Sequence, residues 1–184
     1  MTDTYQIPGH KAGTWVIDPS HSEVAFSVRH LLISKVKGKF EKFDATFVTG
    51  ESPLDTKLSA SVEVESINTG DANRDGHLRT NDFFNAPEFP TITFVSDSVV
   101  AEKDDLLVTG PLTIKGVSKD VTFTVEFGGF ITDPYGNYKL GLTAKAVVKR
   151  SDFGVSFNAA LESGGVMIGE DVTITIDLEA ALQA

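Results

Sequence analysis

Cysteine is absent from this sequence of 184 residues, and tryptophan and tyrosine are scarce, with one and three copies. Without cysteine, a disulfide framework and a thiolate metal site are both excluded, so the fold has to be stabilised by packing. The N-terminal segment Met1 to Trp15 lacks an apolar run and is typical neither of a signal peptide nor of a membrane anchor. We therefore expect a cytoplasmic protein that is not embedded in a membrane.

Basic residues are also few, with 16 Lys and Arg against 26 Asp and Glu and a formal net charge of −10. Such a charge repels phosphate backbones and anionic lipid surfaces at long range, which argues against nucleic acid as a partner. One local group of lysines, residues 35–42, alternates with apolar residues. This pattern is typical of the solvated side of a strand. The alternative is a basic rim near a ligand entrance.

Period-two alternation of apolar and polar residues dominates the chain and predicts strands with one buried face. The apolar rows are Val24, Phe26, Val28; Leu58, Ala60, Val62, Val64; Leu106, Val108, Leu112, Ile114; Val121, Phe123, Val125, Phe127; Leu140, Leu142, Ala144, Ala146, Val148; and Val172, Ile174, Ile176, Leu178. With residues 35–48 and 91–100 added, about eight strands are expected. No linker or long repeat interrupts them, so one domain suffices.

The apolar residues of the segment 35–48 change from one side of the strand to the other partway along. Val36 and Phe40 share one face, whereas Phe43, Ala45 and Phe47 share the other. A shift of one residue is what a β-bulge or a sharp bend produces, and curved barrels need such corners.

Helix is confined to two short candidates, residues 30–34 and residues 71–84. In the second candidate, Asp75 and Arg79 have the spacing of an ion pair between adjacent helical turns. This segment is interpreted as a capping element that closes one barrel end. Alternatively, Arg74, His77 and Arg79 present hydrogen-bond donors to the head group of a ligand.

Antiparallel strands with one apolar face form either a two-sheet sandwich or a closed barrel, and periodicity does not choose between them. A closed barrel of eight strands is either filled by side chains or just wide enough for one slender ligand. Small inward residues permit both outcomes: Ala60, Gly110, Ala144 and Ala146. Thirteen phenylalanines, which lack a polar group, suit a dry interior.

No catalytic motif is found. The four histidines, none of which has metal-ligand spacing, are His10, His21, His30 and His77. A metal site made of His21, His30 and His77 would have to be assembled by the fold. A triad of Asp18, Ser20 and His21 would place adjacent side chains on opposite faces of a strand. We predict no catalytic residue, no metal and no cofactor.

Several separate blocks, in order, resemble the YceI-like family of lipid-binding proteins. They are Trp15-Val16-Ile17-Asp18, His21-Ser22, Phe26-Ser27-Val28-Arg29-His30, Gly38-Lys39-Phe40, Arg74-Asp75-Gly76-His77-Leu78-Arg79 with Asp82-Phe83-Phe84, Gly110-Pro111-Leu112-Thr113-Ile114-Lys115-Gly116-Val117, and Arg150-Ser151-Asp152-Phe153-Gly154. The resemblance implies an all-β fold, an extended lipocalin-like antiparallel barrel of about eight strands with one or two short helices. It implies a single domain over residues 14–184 behind an N-terminal extension, residues 1–13.

The resemblance also implies a non-enzymatic carrier whose barrel binds a long-chain amphiphile, such as a polyisoprenoid, an isoprenoid quinone or a fatty-acid derivative. From the alternation, the residues expected to line the tunnel are Phe26, Val28, Phe40, Val62, Phe94, Leu112, Phe123, Leu142 and Ile174. The polar residues expected at its mouth are His21, Arg29, His30, Arg74, His77 and Arg150.

Two other function classes remain open. One is a lipid-modifying enzyme, which would need an internal histidine beside a carboxylate. The other is a ligand-free stress or interaction protein, whose barrel interior would be filled to native packing density. Such a protein could form a homodimer through an exposed strand.

Overall fold

The computed structural model describes residues 5–184. In chain order, the strands are β1 Gly13–Ile17, β2 Glu23–His30, β3 Ser34–Phe40, β4 Phe43–Thr49, β5 Lys57–Glu63, β6 Ile67–Asn68, β7 Thr91–Val95, β8 Ser98–Glu102, β9 Asp105–Ile114, β10 Val117–Thr132, β11 Tyr138–Lys149 and β12 Ile168–Leu182. The α-helix is α1, Ala72–Leu78, and the 3-10 helices are Pro19–His21, Pro53–Asp55, Val64–Ser66 and Arg150–Phe153.

These strands combine into eight long antiparallel strands. Four of the eight are bent, and each bent strand consists of two consecutive segments: β1 with β2, β3 with β4, β5 with β6, and β7 with β8. Each long strand pairs with the next one in sequence, and β1 pairs with β12, where Trp15 lies opposite Leu182 and Ile17 opposite Ala180. The sheet is therefore closed, and the prediction of an antiparallel barrel of about eight strands is confirmed.

The predicted corner lies between β3 and β4, where Glu41 and Lys42 leave the strand conformation. The neighbouring long strand, made of β1 and β2, bends at the same level, because the turn Pro19–His21 separates its two segments. The apolar residues on both sides of the corner face the barrel interior: Val36, Phe40, Phe43, Ala45 and Phe47. The change of side in the sequence is thus confirmed as a bend that keeps one apolar face inward.

The helix predicted at residues 30–34 is wrong. The segment is the tight connection between β2 and β3, in which Leu31 and Leu32 have φ values of 53° and 63°. Strand pairing continues up to it, with Arg29 opposite Lys35 and His30 opposite Ser34. The hydrogen bonds between β2 and β3 therefore prevent the apolar residues 31–33 from forming a helix.

The second predicted helix forms but is shorter than residues 71–84. It begins at the N-cap Asp71, whose carboxylate accepts hydrogen bonds from the backbone N–H groups of Asn73 and Arg74, at 2.9 and 3.0 Å. These bonds lower the pKa of Asp71. The helix ends at Leu78, and residues 80–87 continue in turns.

The ion pair expected between Asp75 and Arg79 does not form. Asp75 is buried and accepts hydrogen bonds from the backbone N–H and the hydroxyl of Thr69, at 2.9 and 2.6 Å. Arg79 instead donates to the carbonyl of Glu65 at 3.1 Å. Both side chains therefore tie the α1 segment to residues 65–69, which precede it.

One end of the barrel is covered. Trp15 is fully buried there, stacked on Phe47 with ring centroids 5.9 Å apart, and Phe130 and Tyr138 pack around it at 6.0 Å. The part of the predicted N-terminal extension from Tyr5 onward packs across this end, where Tyr5 and Ile7 contact the core. Residues 1–4 of that extension lie outside the described residues. We call this the covered end.

The opposite end carries the connection between β2 and β3, the segment of α1, and the long connection from β11 to β12. The loop residues there include buried Phe83 and Phe153, which belong to the main core cluster. We call this end the mouth.

Candidate functional site

A cavity of about 400 Å³ occupies the barrel interior. Its volume falls within the range of small-molecule pockets, and its wall is formed almost entirely by apolar side chains. It extends from Trp15 and Phe47 at the covered end to Arg74 and His77 at the mouth. Because β10 has 16 residues, tilted strands of its length give a barrel about 40 Å tall. The shape suits one slender apolar molecule.

All nine residues expected to line the tunnel face this cavity: Phe26, Val28, Phe40, Val62, Phe94, Leu112, Phe123, Leu142 and Ile174. They come from all eight long strands. Two aromatic pairs link neighbouring walls, Phe26 with Phe40 at 5.7 Å and Phe94 with Phe123 at 5.0 Å. Phe26 is only half buried, and it borders the cavity. That these residues contact a ligand stays a prediction.

Five of the six residues expected at the mouth also border the cavity: Arg29, His30, Arg74, His77 and Arg150. They are supplied by β2, by α1 and by the 3-10 helix after β11. The mouth therefore combines an apolar channel with a cationic rim. Their contact with a ligand head group stays a prediction.

His77 sits in an aromatic notch at the mouth. Its ring packs in a T-shaped arrangement against the rings of Phe83 and Phe157, with centroids 5.0 and 5.1 Å away. Its Nε2 lies 2.8 Å from a carboxylate oxygen of Asp82, and both side chains are about half exposed. The hydrogen bond with the aspartate fixes the orientation of the ring.

Arg74 is held by Thr69. Its Nε donates to the Thr69 hydroxyl at 2.7 Å and its Nη2 to the Thr69 carbonyl at 2.8 Å. The side chain is exposed, and its Nη1 has no hydrogen-bond partner among residues 5–184. Arg74 thus presents an oriented, permanently charged donor at the mouth.

Arg150 borders the cavity, but its donors are already used. Nε donates to the Gly169 carbonyl at 2.8 Å, and Nη1 donates to the carbonyls of Val155 and Phe157 at 2.8 and 2.9 Å. Nη2 donates to Ile168 at 3.4 Å. Burial lowers the pKa of this guanidinium. The arrangement makes Arg150 a brace for the loop at the mouth, and its contact with a ligand head group stays a prediction.

His21 lies away from the cavity and is exposed on the outside of the barrel. Pro19 starts a 3-10 turn, so the strand alternation that begins at Val24 does not extend back to His21. The imidazole Nδ1 is 2.9 Å from Asp18 Oδ2. This hydrogen bond raises the pKa of His21, and a hydrogen bond from Ser20 contributes most to lowering the pKa of Asp18.

The same turn corrects our reason for dismissing a triad of Asp18, Ser20 and His21. The three side chains do meet, because a 3-10 helix rather than a strand carries them. However, the Ser20 hydroxyl and His21 Nδ1 both bond the Asp18 carboxylate, at 2.6 and 2.9 Å. The arrangement lacks the serine–histidine–aspartate order that activates a nucleophile.

Within residues 5–184, one group has donor atoms close enough to share a metal ion: Asp18, His21 and Glu179. The ammonium of Lys139 already lies among these groups, 2.8 Å from Glu179 Oε1 and 3.6 Å from Asp18 Oδ2. The hydrogen bond to Glu179 raises the pKa of Lys139. The lysine supplies the positive charge, and neither His30 nor His77 joins the group.

Sequence reasoning missed part of the wall at each end. Trp15 and Phe47 form the covered end of the cavity, while Phe157 and Met167 border its mouth. The latter two lie in a long irregular connection in which side chains have no periodicity, so alternation gives no signal there.

The comparisons with known proteins agree with the barrel geometry. The sequence profile described as the YceI-like domain matches residues 15–180. The chain belongs to the YceI-like family. A UPF0312 protein of Staphylococcus aureus is 40% identical over 170 residues, covering 91% of this chain and 97% of the relative.

Solved structures show the same fold. The Campylobacter jejuni YCEI protein superimposes with a TM-score of 0.72 at 28% identity and covers 100% of this chain and 97% of its own. A polyisoprenoid binding domain from Saccharophagus degradans gives a TM-score of 0.67 at 16% identity, covering 95% of this chain and 100% of its own. The second likeness establishes the fold alone.

No helix within the described residues combines the length and the apolar character needed to cross a bilayer. The cytoplasmic location and the homodimer considered from the sequence stay predictions.

Proposed function

We propose that this YceI-like protein binds one long-chain amphiphile, of the polyisoprenoid, isoprenoid-quinone or fatty-acid class, inside its barrel without changing it chemically. The observation that carries the proposal is the cavity of about 400 Å³ that runs from Trp15 to His77 between apolar walls. A filled interior, which a ligand-free interaction protein requires, would leave no such space.

The similar structure from Saccharophagus degradans is a polyisoprenoid binding domain, which supports the same ligand class. The energetics agree. Burying one methylene group contributes about 0.8 kcal/mol, so ten sequestered carbons give about 8 kcal/mol before the costs of association and ordering. A head group at Arg74 and His77 then needs only to fix the direction of the chain.

One observation favours the enzyme as a second candidate. His77 borders the cavity and contacts the carboxylate of Asp82, as an internal base would. Both groups lie at the exposed rim, however, and chemistry on a long chain would have to occur at its head group. A chemically altered lipid after incubation with the protein would support this candidate.

The test is retention of lipid by the folded protein. We would load it with a polyisoprenol from detergent micelles, record native mass spectra, and identify the molecule after organic extraction. One unaltered chain per barrel is expected. Leu142→Trp or Val62→Trp should reduce retention at least tenfold, because an indole fills the channel.

Val147→Trp is the matched control, because Val147 lies on the same strand as Leu142 but is exposed on the outer face. It should retain lipid as the unmodified protein does. A Leu142→Trp variant with native circular dichroism and undiminished retention would refute the tunnel, and a protein that takes up no chain would refute the function.

A further inference from the structure

The connection between β2 and β3 carries three consecutive exposed apolar residues. The exposed fractions of Leu31, Leu32 and Ile33 are 37%, 62% and 82%. We call these three residues the apolar tip. A contiguous exposed apolar group of this kind, unlike single scattered residues, marks an interaction site.

The backbone holds the apolar tip in a costly conformation. Leu31 and Leu32 both have positive φ values, which branched residues rarely adopt and which asparagine or glycine would adopt readily. The Leu31 N–H is fixed by a hydrogen bond of 2.8 Å to the Met167 carbonyl. The turn therefore carries large apolar side chains where turn chemistry favours small or polar ones.

The hairpin that bears the apolar tip is strongly basic. Residues 23–40, which form the whole hairpin, include Arg29, Lys35, Lys37 and Lys39 and a single acidic residue, Glu23, at the end far from the apolar tip, in a chain whose net charge is −10. Arg29 and Lys35 lie directly opposite each other on paired strands. Like charges in that position destabilise a hairpin, so an anionic partner would relieve them.

The apolar tip also lies beside the mouth, since Arg29 and His30 immediately before it border the cavity. From these observations, we propose that the apolar tip inserts into the surface of a bilayer that contains anionic lipids. The mouth would then face the membrane, and the long-chain ligand would pass between bilayer and cavity. This inference rests on the proposed function and adds to it the source of the ligand.

A bilayer fits better than a second copy of the chain. A symmetric contact through the apolar tip would bring two basic hairpins together, whereas phosphate head groups supply the opposite charge. Apolar side chains flanked by lysine and arginine are the usual composition of a segment that enters the interfacial region. The negative charge of the rest of the chain would direct the hairpin, rather than another surface, to the membrane.

The test is co-sedimentation with vesicles of equimolar phosphatidylcholine and phosphatidylglycerol. The unmodified protein should bind them, and should bind pure phosphatidylcholine vesicles less. The double substitution Leu32→Ser with Ile33→Ser should weaken binding at least tenfold. Lys35→Gln should weaken it about fivefold, with a reduced dependence on salt.

The matched control removes exposed apolar residues at the covered end, where Ile131 and Tyr135 have exposed fractions of 68% and 90%. Ile131→Ser with Tyr135→Ser should leave vesicle binding unchanged. Equal losses in both double variants would overturn the proposal, as would absence of binding by the unmodified protein. Size-exclusion chromatography in which the unmodified protein dimerises and the tip variant does not would also overturn it, in favour of a second copy.

Lipid loading from detergent micelles separates this inference from the proposed function. Tip variants should load a polyisoprenol from micelles as the unmodified protein does, but take it up from vesicles at least tenfold more slowly. If the unmodified protein takes up the polyisoprenol from micelles but neither binds vesicles nor takes up lipid from them, the membrane contact is refuted and the carrier function stands. If it loads from neither, the carrier function itself fails.

Discussion

The indole N–H of Trp15 donates a hydrogen bond of 3.0 Å to the hydroxyl of Thr49, and that hydroxyl donates in turn to the Lys11 carbonyl at 2.7 Å. This chain of two hydrogen bonds connects β1, β4 and the N-terminal segment at the covered end. Because Trp15 is fully buried, its N–H has no access to water as a substitute partner.

Thr49→Val therefore should reduce the free energy of unfolding by about 1–3 kcal/mol, the cost of leaving a buried donor without its acceptor. Thr49→Ser keeps the hydroxyl and should cost less. Urea denaturation followed by tryptophan fluorescence measures both. A loss of stability in Thr49→Ser that is absent in Thr49→Val would show that the methyl group, not the hydroxyl, matters.

Gly110 allows a close approach between backbones. A methyl group added there would lie 1.9 Å from the Val95 carbonyl oxygen, at the bend between β7 and β8. From the sequence, this small inward residue permitted either a wider cavity or tight packing, and the neighbouring backbone occupies the space. Gly110→Ala should cost about 3 kcal/mol or more, because backbone atoms cannot move aside easily.

Gly76 is the matched control for that substitution. It lies inside α1, and a methyl group there meets nothing within 4 Å. Gly76→Ala should stabilise the protein by about 0.5–1 kcal/mol, since alanine is the better helix former. Gly110→Ala should thus lower the midpoint temperature of thermal unfolding, and Gly76→Ala should raise it. Shifts in the same direction would contradict the packing argument.

Arg150→Met should cost about 3 kcal/mol or more, because it leaves the carbonyls of Val155, Phe157 and Gly169 without their donor. Arg29→Met, at an exposed position, should change stability by about 0.5 kcal/mol or less. Urea unfolding and amide exchange of residues 154–157 are the measurements. An Arg150→Met variant of normal stability that loses bound lipid would instead favour a head-group contact.

The imidazole of His21 should titrate above pH 6.5, because its hydrogen bond with Asp18 raises its pKa. The pKa of His21 is higher in the folded state than in the unfolded state. The stability that the hydrogen bond with Asp18 contributes is therefore complete below pH 6.5 and is lost as the pH rises through the folded-state pKa. NMR titration of the ring protons measures it. Asp18→Asn should lower the pKa of His21, and Asp104→Asn, in the turn between β8 and β9, should leave it unchanged.

Alternation predicted the barrel wall well because a closed sheet imposes a strict choice between inside and outside on every residue. Phe94 and Leu142 belong to different strands, yet each is assigned inward by its neighbours alone. Even the corner after Phe40 is visible in the sequence, since the inward face has to be kept through the bend.

Side-chain partners at the ends were not predictable in this way. Arg150 and Asp75 both bond groups outside their own helix, and nothing in local spacing indicates such partners. The apolar run of residues 31–33 is equally compatible with a buried helical turn, and only the pairing of the two flanking strands decides against it.

The pairing of β1 with β12 has a consequence for synthesis. Trp15 and Ile17 lie opposite Leu182 and Ala180. During synthesis, β1 can therefore pair with β4 early but with β12 only after residues 168–182 have been made. A nascent chain on the ribosome therefore holds an open sheet with two unpaired edges, the arrangement most exposed to aggregation. Such distant pairing also slows folding. The barrel interior closes only after β12 has left the ribosome, so the ligand that we propose would enter the barrel after that step and not before it.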